Sequence, residues 1–111
     1  MPQHFVTDET DRIDLDDGFW VDIKKRMSYG DQQKLVAHYI KVRTTTAEIT
    51  SDIDLAGGQI VLLEINIKGW NLVDANNKVA PLNRANIEKL DIAIATRIAT
   101  EIDKRNQLPK V

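Results

Sequence analysis

The chain has 111 residues, no cysteine and a formal net charge of -2, with 42% hydrophobic and 29% charged residues. This length allows one modest core, and the composition is that of a folded, soluble chain. The lack of cysteine excludes disulfides and thiolate chemistry and is typical of a reducing compartment. The small net charge does not favour nucleic acid as a partner, and neither a secretory signal nor a membrane-spanning apolar run is visible. We therefore expect one cytoplasmic domain over residues 1–111, with no nucleic-acid or membrane partner.

The first part of the chain predicts a short lead followed by a β-hairpin. Residues 1–10 lack apolar periodicity, which predicts a flexible lead. Apolar and polar residues then alternate over 11–25, on either side of Asp17-Gly18. Asp-Gly is a strong hairpin signal because glycine accepts positive φ, and period-2 alternation is what half-buried strands require. The pattern therefore predicts a β-hairpin over 11–25.

A first helix is predicted over 28–41. Ser28 lies three residues before Asp31, so its hydroxyl can cap backbone amides while the carboxylate favours the positive end of the helix. The β-branched residues within 42–50 disfavour a helix and predict an extended connection or a short edge strand. The apolar positions of the helix recur at helical spacing: Leu35, Val36, Tyr39 and Ile40.

Two further helical segments complete a predicted α+β fold that is mainly helical. The segment 52–70 has apolar residues at approximately helical intervals, and Gly57-Gly58 could mark either a break or a tight contact, which a kinked helix would accommodate. A turn at 74–78 precedes the segment 84–105, which Asn83 is expected to cap and Asp91 to divide into a short and a long helix. Its apolar stripe consists of Ile87, Leu90, Ile94, Ile98 and Ile102.

Residues that could carry catalysis or hold a metal are few. His4 lies in the lead, and His38 has no histidine or carboxylate four residues away on its helix. The acidic residues of the hairpin lack the loop length and closing glutamate of a calcium site, and no glycine-rich phosphate loop is present. No nucleophile lies beside a base in a recognisable arrangement. The sequence therefore predicts no enzyme, no metal site and no cofactor.

The two tryptophans and one basic run each allow two interpretations. Trp20 and Trp70 could be core residues or interface anchors, because large aromatic side chains dominate both settings. Burial is the commoner outcome, so we expect both to be largely buried. The run 24–26, Lys-Lys-Arg, is either a solvated connection between strand and helix or a contact for an acidic partner.

Four blocks of the sequence match a known pattern. They are 18–24 with 27–33, then 70–74, 79–82 and 83–90. They resemble, in turn, the hairpin strand and helix start, the tryptophan turn, the proline segment and the first C-terminal helix of the bacteriophage tail assembly chaperone family of long-tailed phages and prophages. The resemblance loosely covers residues 18–105, with Asn77 where the family usually has glycine and Asn83 where it usually has threonine. The motif residues are Trp20, Tyr29, Gly30, Trp70, Asp74 and Pro81.

The resemblance implies a chaperone for the morphogenesis of the viral tail. Such a protein coats the long, aggregation-prone tape measure protein in the host cytoplasm, until tail tube subunits polymerise around it, and is absent from the mature virion. The expected partners are the tape measure protein, then the tail tube protein and further copies of the chain. The alternative is a structural virion component, such as a head-tail connector or a tail completion protein.

The expected partner surface is apolar and lies on the helices. A domain of this size leaves part of its apolar stripes without an intramolecular contact, and surplus apolar surface is a binding surface. The predicted partner-binding residues are Leu35, Tyr39, Ile94 and Ile98.

Overall fold

The computed structural model describes residues 4–44, 49–53 and 55–107 and has an α+β architecture, as predicted. No helix in this part of the chain is long and apolar enough to cross a membrane. A three-stranded antiparallel sheet has the order β1-β2-β5, and two further strands pair with each other. In chain order the elements are β1 (Thr10–Asp14), a 3-10 turn (Asp16–Gly18), β2 (Trp20–Lys24), α1 (Tyr29–Tyr39), β3 (Ile40–Thr44), β4 (Ile49–Ile53), α2 (Leu55–Asn66), β5 (Ile67–Trp70), α3 (Arg84–Glu88) and α4 (Ile92–Asn106).

Strands β1 and β2 form the predicted hairpin, with Thr10 opposite Lys24 at its open end. Asp17 and Gly18 have φ values of 62° and 81°, the left-handed conformations that a type I′ turn needs at its two central residues. The turn fixes the register, and the register decides which side chains face the core. The inward residues of the hairpin are Ile13, Val21 and Ile23.

Helix α1 begins at a reciprocal capping box, as the spacing of Ser28 and Asp31 predicts. The Ser28 hydroxyl oxygen accepts from the Asp31 amide at 3.1 Å, and the Asp31 carboxylate accepts from the Ser28 amide at 3.2 Å. The same carboxylate receives the Lys24 ammonium at 2.7 Å, which ties the helix to β2. The helix ends at Tyr39, two residues before its predicted end, because the chain enters β3 there.

The segment predicted as non-helical contains two strands. Strands β3 and β4 are antiparallel, with Ile40 opposite Ile53, and neither pairs with a strand of the first sheet. The prediction for 42–50 is confirmed where the structure describes it, and residues 45–48 lie outside the described part.

The predicted helix over 52–70 is wrong at both ends. Ile53 lies in β4, α2 begins at Leu55 and continues through both glycines, and the last four predicted helical residues form β5. Trp70 lies opposite Val21, and the register shifts between Asp22 and Ile23. A regular strand places residues three apart on opposite faces, and this shift returns Ile67 and Trp70 to the same buried face. Their spacing therefore suits a helix as well as an irregular strand. The segment becomes a strand because it can pair with the free edge of β2.

The C-terminal helices have the predicted caps. The Asn83 side chain accepts from the Asn86 amide at 2.9 Å, and the Asp91 side chain accepts from the Ala93 amide at 2.9 Å. Asp91 thus divides the region as predicted. The core that these helices cover consists of Ile13, Val21, Ile23, Leu62, Leu63, Ile67, Trp70, Ile87, Ile98, Ala99 and Ile102.

Helix α4 is also tied to the first hairpin by polar contacts. Arg97 donates to the Asp14 carbonyl at 2.8 Å, and Arg105 reaches the Asp11 carboxylate at 2.9 Å. The Met27 amide donates to the Asn106 side chain at 2.8 Å. These contacts extend to Asn106, and residues 108–111 lie outside the described part.

Candidate functional site

An open apolar groove lies where the first hairpin turn, the segment after β5 and the α3–α4 junction meet. Its volume is about 590 Å³. We call it the Trp70 groove, after the buried indole at its base, whose ring N–H donates to the Ala80 carbonyl at 2.7 Å. It is lined by Phe19, Trp70, Leu72, Val73, Asp74, Ala75, Ala80, Asn86, Lys89, Leu90, Asp91 and Ile94.

Asn71 positions the aromatic side of this groove. Its side-chain oxygen accepts from the Trp20 amide at 2.7 Å, and its side-chain nitrogen donates to the Gly18 carbonyl at 3.1 Å. The two contacts hold the residues on either side of Phe19, so the Phe19 ring is fixed beside Leu72. A smaller depression of about 310 Å³ adjoins the groove and shares Phe19, Leu72 and Ile94 with it. Together the two form one continuous apolar surface.

The predicted turn at 74–78 forms the rim of the Trp70 groove. The Asp74 carboxylate accepts from the backbone amides of Asn76 and Lys78 at 2.8 and 3.1 Å. Asn77 has φ 61°, a left-handed conformation that asparagine tolerates and that explains why it can stand where the resembled family has glycine. The turn is therefore confirmed, and its backbone hydrogen bonds give the groove a fixed edge.

A second groove of about 530 Å³ runs between α2 and α4. We call it the α2–α4 groove. Ile92, in the first turn of α4, lines it and is 82% exposed, which is unusual for a large aliphatic side chain. Leu90 lines both grooves and separates them. The remaining lining residues are Gln59, Ile60, Leu63, Ile87, Glu88, Ala95, Thr96, Ala99, Thr100 and Asp103.

The four predicted partner-binding residues have different environments. Ile94 is half-buried and lines the Trp70 groove, whereas Leu35 packs against the core and lines neither groove. The Tyr39 side chain lies outside the described residues. Ile98 is fully buried, so its assignment to a partner surface is wrong: it faces the inner side of the sheet and contributes to the core.

The sequence did carry a signal for one residue that was missed. Ile92 precedes Ile94 by two positions, which is about 200° around a helix, so the two cannot share one face. Since Ile94 belongs to the core stripe, Ile92 must point elsewhere. Phe19 and Leu72 had no such signal, because their proximity depends on how β5 pairs with β2.

Trp20 differs from its prediction. It is only half-buried, because the alternation of β2 turns Val21 inward and Trp20 to the outer face of the sheet. The Arg12 guanidinium lies 3.7 Å from the ring centroid and is itself held by Asp22 at 2.9 Å. The hydrogen bond to Asp22 raises the pKa of Arg12. The expectation of burial is confirmed for Trp70 and is met only in part for Trp20.

The remaining motif residues have structural environments. Tyr29 and Gly30 open α1 directly after the capping serine, and both are exposed. Pro81 is exposed, and its carbonyl accepts from the Asn86 side chain at 2.7 Å. The blocks that resemble the phage family therefore set helix starts and turns, and they also contain most of the residues that line the Trp70 groove.

Apolar side chains make up most of the lining of both grooves. Within the described part of the chain, no group of three or more histidine or acidic side chains is arranged to hold a metal ion. Each groove has an apolar lining with charged side chains at its edges. Comparison with protein-family models, with curated proteins and with solved structures gives no match.

Proposed function

We propose that this chain is a phage tail assembly chaperone, a single-domain protein that binds the tape measure protein during tail morphogenesis and catalyses no reaction. The observation that carries the proposal is the continuous apolar surface of the Trp70 groove and its adjoining depression, on a chain whose sequence blocks resemble that family. Transient coating of a long client needs exposed apolar surface and repeated weak contacts, and this surface offers the former.

The lining of the Trp70 groove suits a client of variable sequence. Phe19, Leu72 and Ile94 offer aromatic and aliphatic contacts, which are not directional and therefore accept many apolar side chains. Such contacts release when another protein covers the same client segments. In the proposal, as the resemblance implies, tail tube subunits displace the chaperone from its client in the host cytoplasm, and the chaperone then stays out of the finished virion.

A pull-down with tape measure fragments tests the proposal. Apolar burial is not screened by salt, whereas charge pairing weakens as the Debye length falls from about 10 Å at 0.1 M to about 3 Å at 1 M. We expect binding to persist at molar salt. Binding that disappears at molar salt would show that the contact is made by charged residues, the basic run 24–26 and the acidic hairpin, and not by the apolar groove.

A pair of matched variants locates the binding surface. Phe19→Ser removes an aromatic ring from the groove without touching the buried core cluster, and we expect it to weaken client binding by about tenfold or more, as the loss of an interface anchor does. Tyr29→Ser removes an exposed aromatic ring outside both grooves and should leave binding unchanged. Equal effects of the two variants would exclude the Trp70 groove as the site.

Mass spectrometry of purified virions separates the proposal from a structural role. A chaperone is absent from finished particles, whereas a connector or completion protein is present in stoichiometric amount. Detection at stoichiometric level would therefore replace the proposal with the structural alternative. A gene order with a tail tube gene upstream and a very long tape measure gene downstream would support the chaperone.

A further inference from the structure

The α2–α4 groove has a base of small and buried side chains and one prominent exposed side chain at its edge. Ala95 and Ala99, one helical turn apart on α4, leave room above the buried Leu63 and Ile87. Ile92 stands at the end of the same row and is 82% exposed. Ile92 continues the apolar lining of the groove, so its exposed side chain and the groove form one apolar patch, the kind of surface that marks a contact site.

The charges that line this groove are of one sign. Of the described residues that line it, the charged ones are Glu88 and Asp103. Glu88 has only a long contact of 3.5 Å with Arg84, and the Asp103 side chain forms no ion pair or hydrogen bond with a described residue. Both carboxylates are exposed and available to a ligand.

The two carboxylates lie toward opposite ends of the groove. Glu88 ends α3, just before α4 begins, whereas Asp103 lies in the last turns of α4. The helical stretch from Ile92 to Asp103 is about 17 Å long at 1.5 Å per residue. The groove therefore offers about three turns of apolar surface with a negative charge near each end.

We propose that the α2–α4 groove docks an amphipathic helix of a partner protein whose apolar face is flanked by lysine or arginine. A helix inserts apolar residues at intervals of three and four into such a groove, and the alanines of α4 allow its axis to come close. Cationic flanks complement Glu88 and Asp103, whereas acidic flanks would place like charges together. The inference depends on this groove alone and stands whether or not the ligand helix belongs to a tape measure protein.

Two synthetic peptides of about 14 residues, or roughly 20 Å of helix, test the inference on the full chain. They share one leucine face and differ only in flanking lysines or flanking glutamates. Titration calorimetry should show the lysine peptide binding about tenfold more tightly at low salt, with the difference shrinking as salt screens the charges. NMR shifts should concentrate at Ile92, Ala95 and Ala99. Equal affinities, or shifts confined to the Trp70 groove, would overturn the inference.

Charge reversal provides the decisive control. The double variant Glu88→Lys, Asp103→Lys should reverse the preference, so that the glutamate peptide binds more tightly. Ile92→Ser should weaken both peptides, and Tyr29→Ser should affect neither. Because a purely structural role cannot reverse a ligand preference, an unchanged preference in the double variant would refute the proposal. Loss of peptide docking while tape measure fragments still bind would leave the proposed function intact, and the converse result would leave the docking site intact.

Discussion

The two tryptophan side chains lie in different environments. Trp70 fills the core and ties its indole N–H to Ala80, whereas Trp20 lies on the outer face of the sheet against Arg12. We expect Trp70→Ala to lower the free energy of unfolding by about 3–5 kcal/mol, because it leaves a large cavity. Trp20→Ala should cost about 1–2 kcal/mol, because part of the ring is already exposed to solvent. Urea denaturation of both variants measures the difference, and similar losses would contradict these two environments.

Gly18 in the turn of the first hairpin and Gly30 at the start of α1 should respond in opposite ways to replacement by alanine. Gly18 has φ 81° and open space where a Cβ would lie, so Gly18→Ala costs only backbone strain, about 1 kcal/mol or more. Gly30 lies in the first turn of α1, and an added Cβ would be in ordinary contact with Ser28 at 3.8 Å. Gly30→Ala should therefore stabilise the protein by about 0.5–1 kcal/mol. Thermal unfolding should move the two midpoints in opposite directions, and an unchanged or raised midpoint for Gly18→Ala would show that the turn does not need positive φ.

At the scale of an element, the start of α1 should respond to pH. Burial acts to raise the pKa of Asp31, but hydrogen bonds from Lys24 and Ser28 outweigh it and the pKa is lowered. A lowered folded-state pKa gives stability that is complete above the unfolded pKa of about 3.9 and is lost as the pH falls through the folded value. Asp31→Asn should therefore be less stable than the wild type at pH 7, with a difference that narrows as the pH falls below the unfolded pKa of about 3.9.

Urea unfolding at several pH values measures this difference. Asp103→Asn is the matched control, since the Asp103 side chain is exposed and contacts no described residue by a hydrogen bond or ion pair. The control should follow the wild type at every pH. A gap between Asp31→Asn and the wild type that stays constant down to pH 3 would show that the capping box does not titrate.

Elements that depend on neighbouring residues could be predicted from the sequence, and those that depend on distant pairing could not. The first hairpin follows from its turn, and three helix starts follow from Ser28, Asn83 and Asp91, because each rule involves residues within four positions. Strand β5 could not be predicted, because the spacing of its apolar residues suits a helix and its strand conformation depends on pairing with the edge of β2. Tertiary pairing overrides local periodicity in such cases.

The same distinction applies to the grooves. The apolar stripe of α4 was visible in the sequence, but its burial depends on which side of the helix meets the sheet. Ile98 is covered and Ile92 is not; the spacing places Ile92 off the core stripe, but only the packed arrangement of α2 and α4 shows that it lines an open groove. The Trp70 groove was even less predictable, since it joins residues about fifty positions apart in the chain.

At the scale of the whole molecule, α4 protects the open edge of the sheet. Asp11 and Asp14 lie on the edge strand β1. Arg97 donates a hydrogen bond to the Asp14 carbonyl, and Arg105 forms an ion pair with Asp11. Unsatisfied edge strands pair readily with other chains. Arg97 is exposed, but Arg105 is half-buried and pairs with Asp11. The double variant Arg97→Ala, Arg105→Ala should therefore lose about 1–2 kcal/mol of stability, and it should aggregate faster.

Light scattering after dilution from urea measures that aggregation. Lys104→Ala removes an exposed cation from the same helix without touching β1 and should behave as the wild type. If the double variant aggregates no faster than Lys104→Ala, the two arginines do not protect the edge.

Because β1 and β2 pack against α4, the core can close only after α4 has been synthesised. Translation delivers the hairpin with Val21 and Ile23 first, and the side chains that seal them, Ile98 and Ile102, emerge about eighty residues later. Until then the hairpin strands expose apolar surface, and closing so long a loop is slow. A ribosome that stalls before α4 therefore releases a chain with an open core. A protein proposed to shield an aggregation-prone client is itself prone to aggregation until α4 has been made.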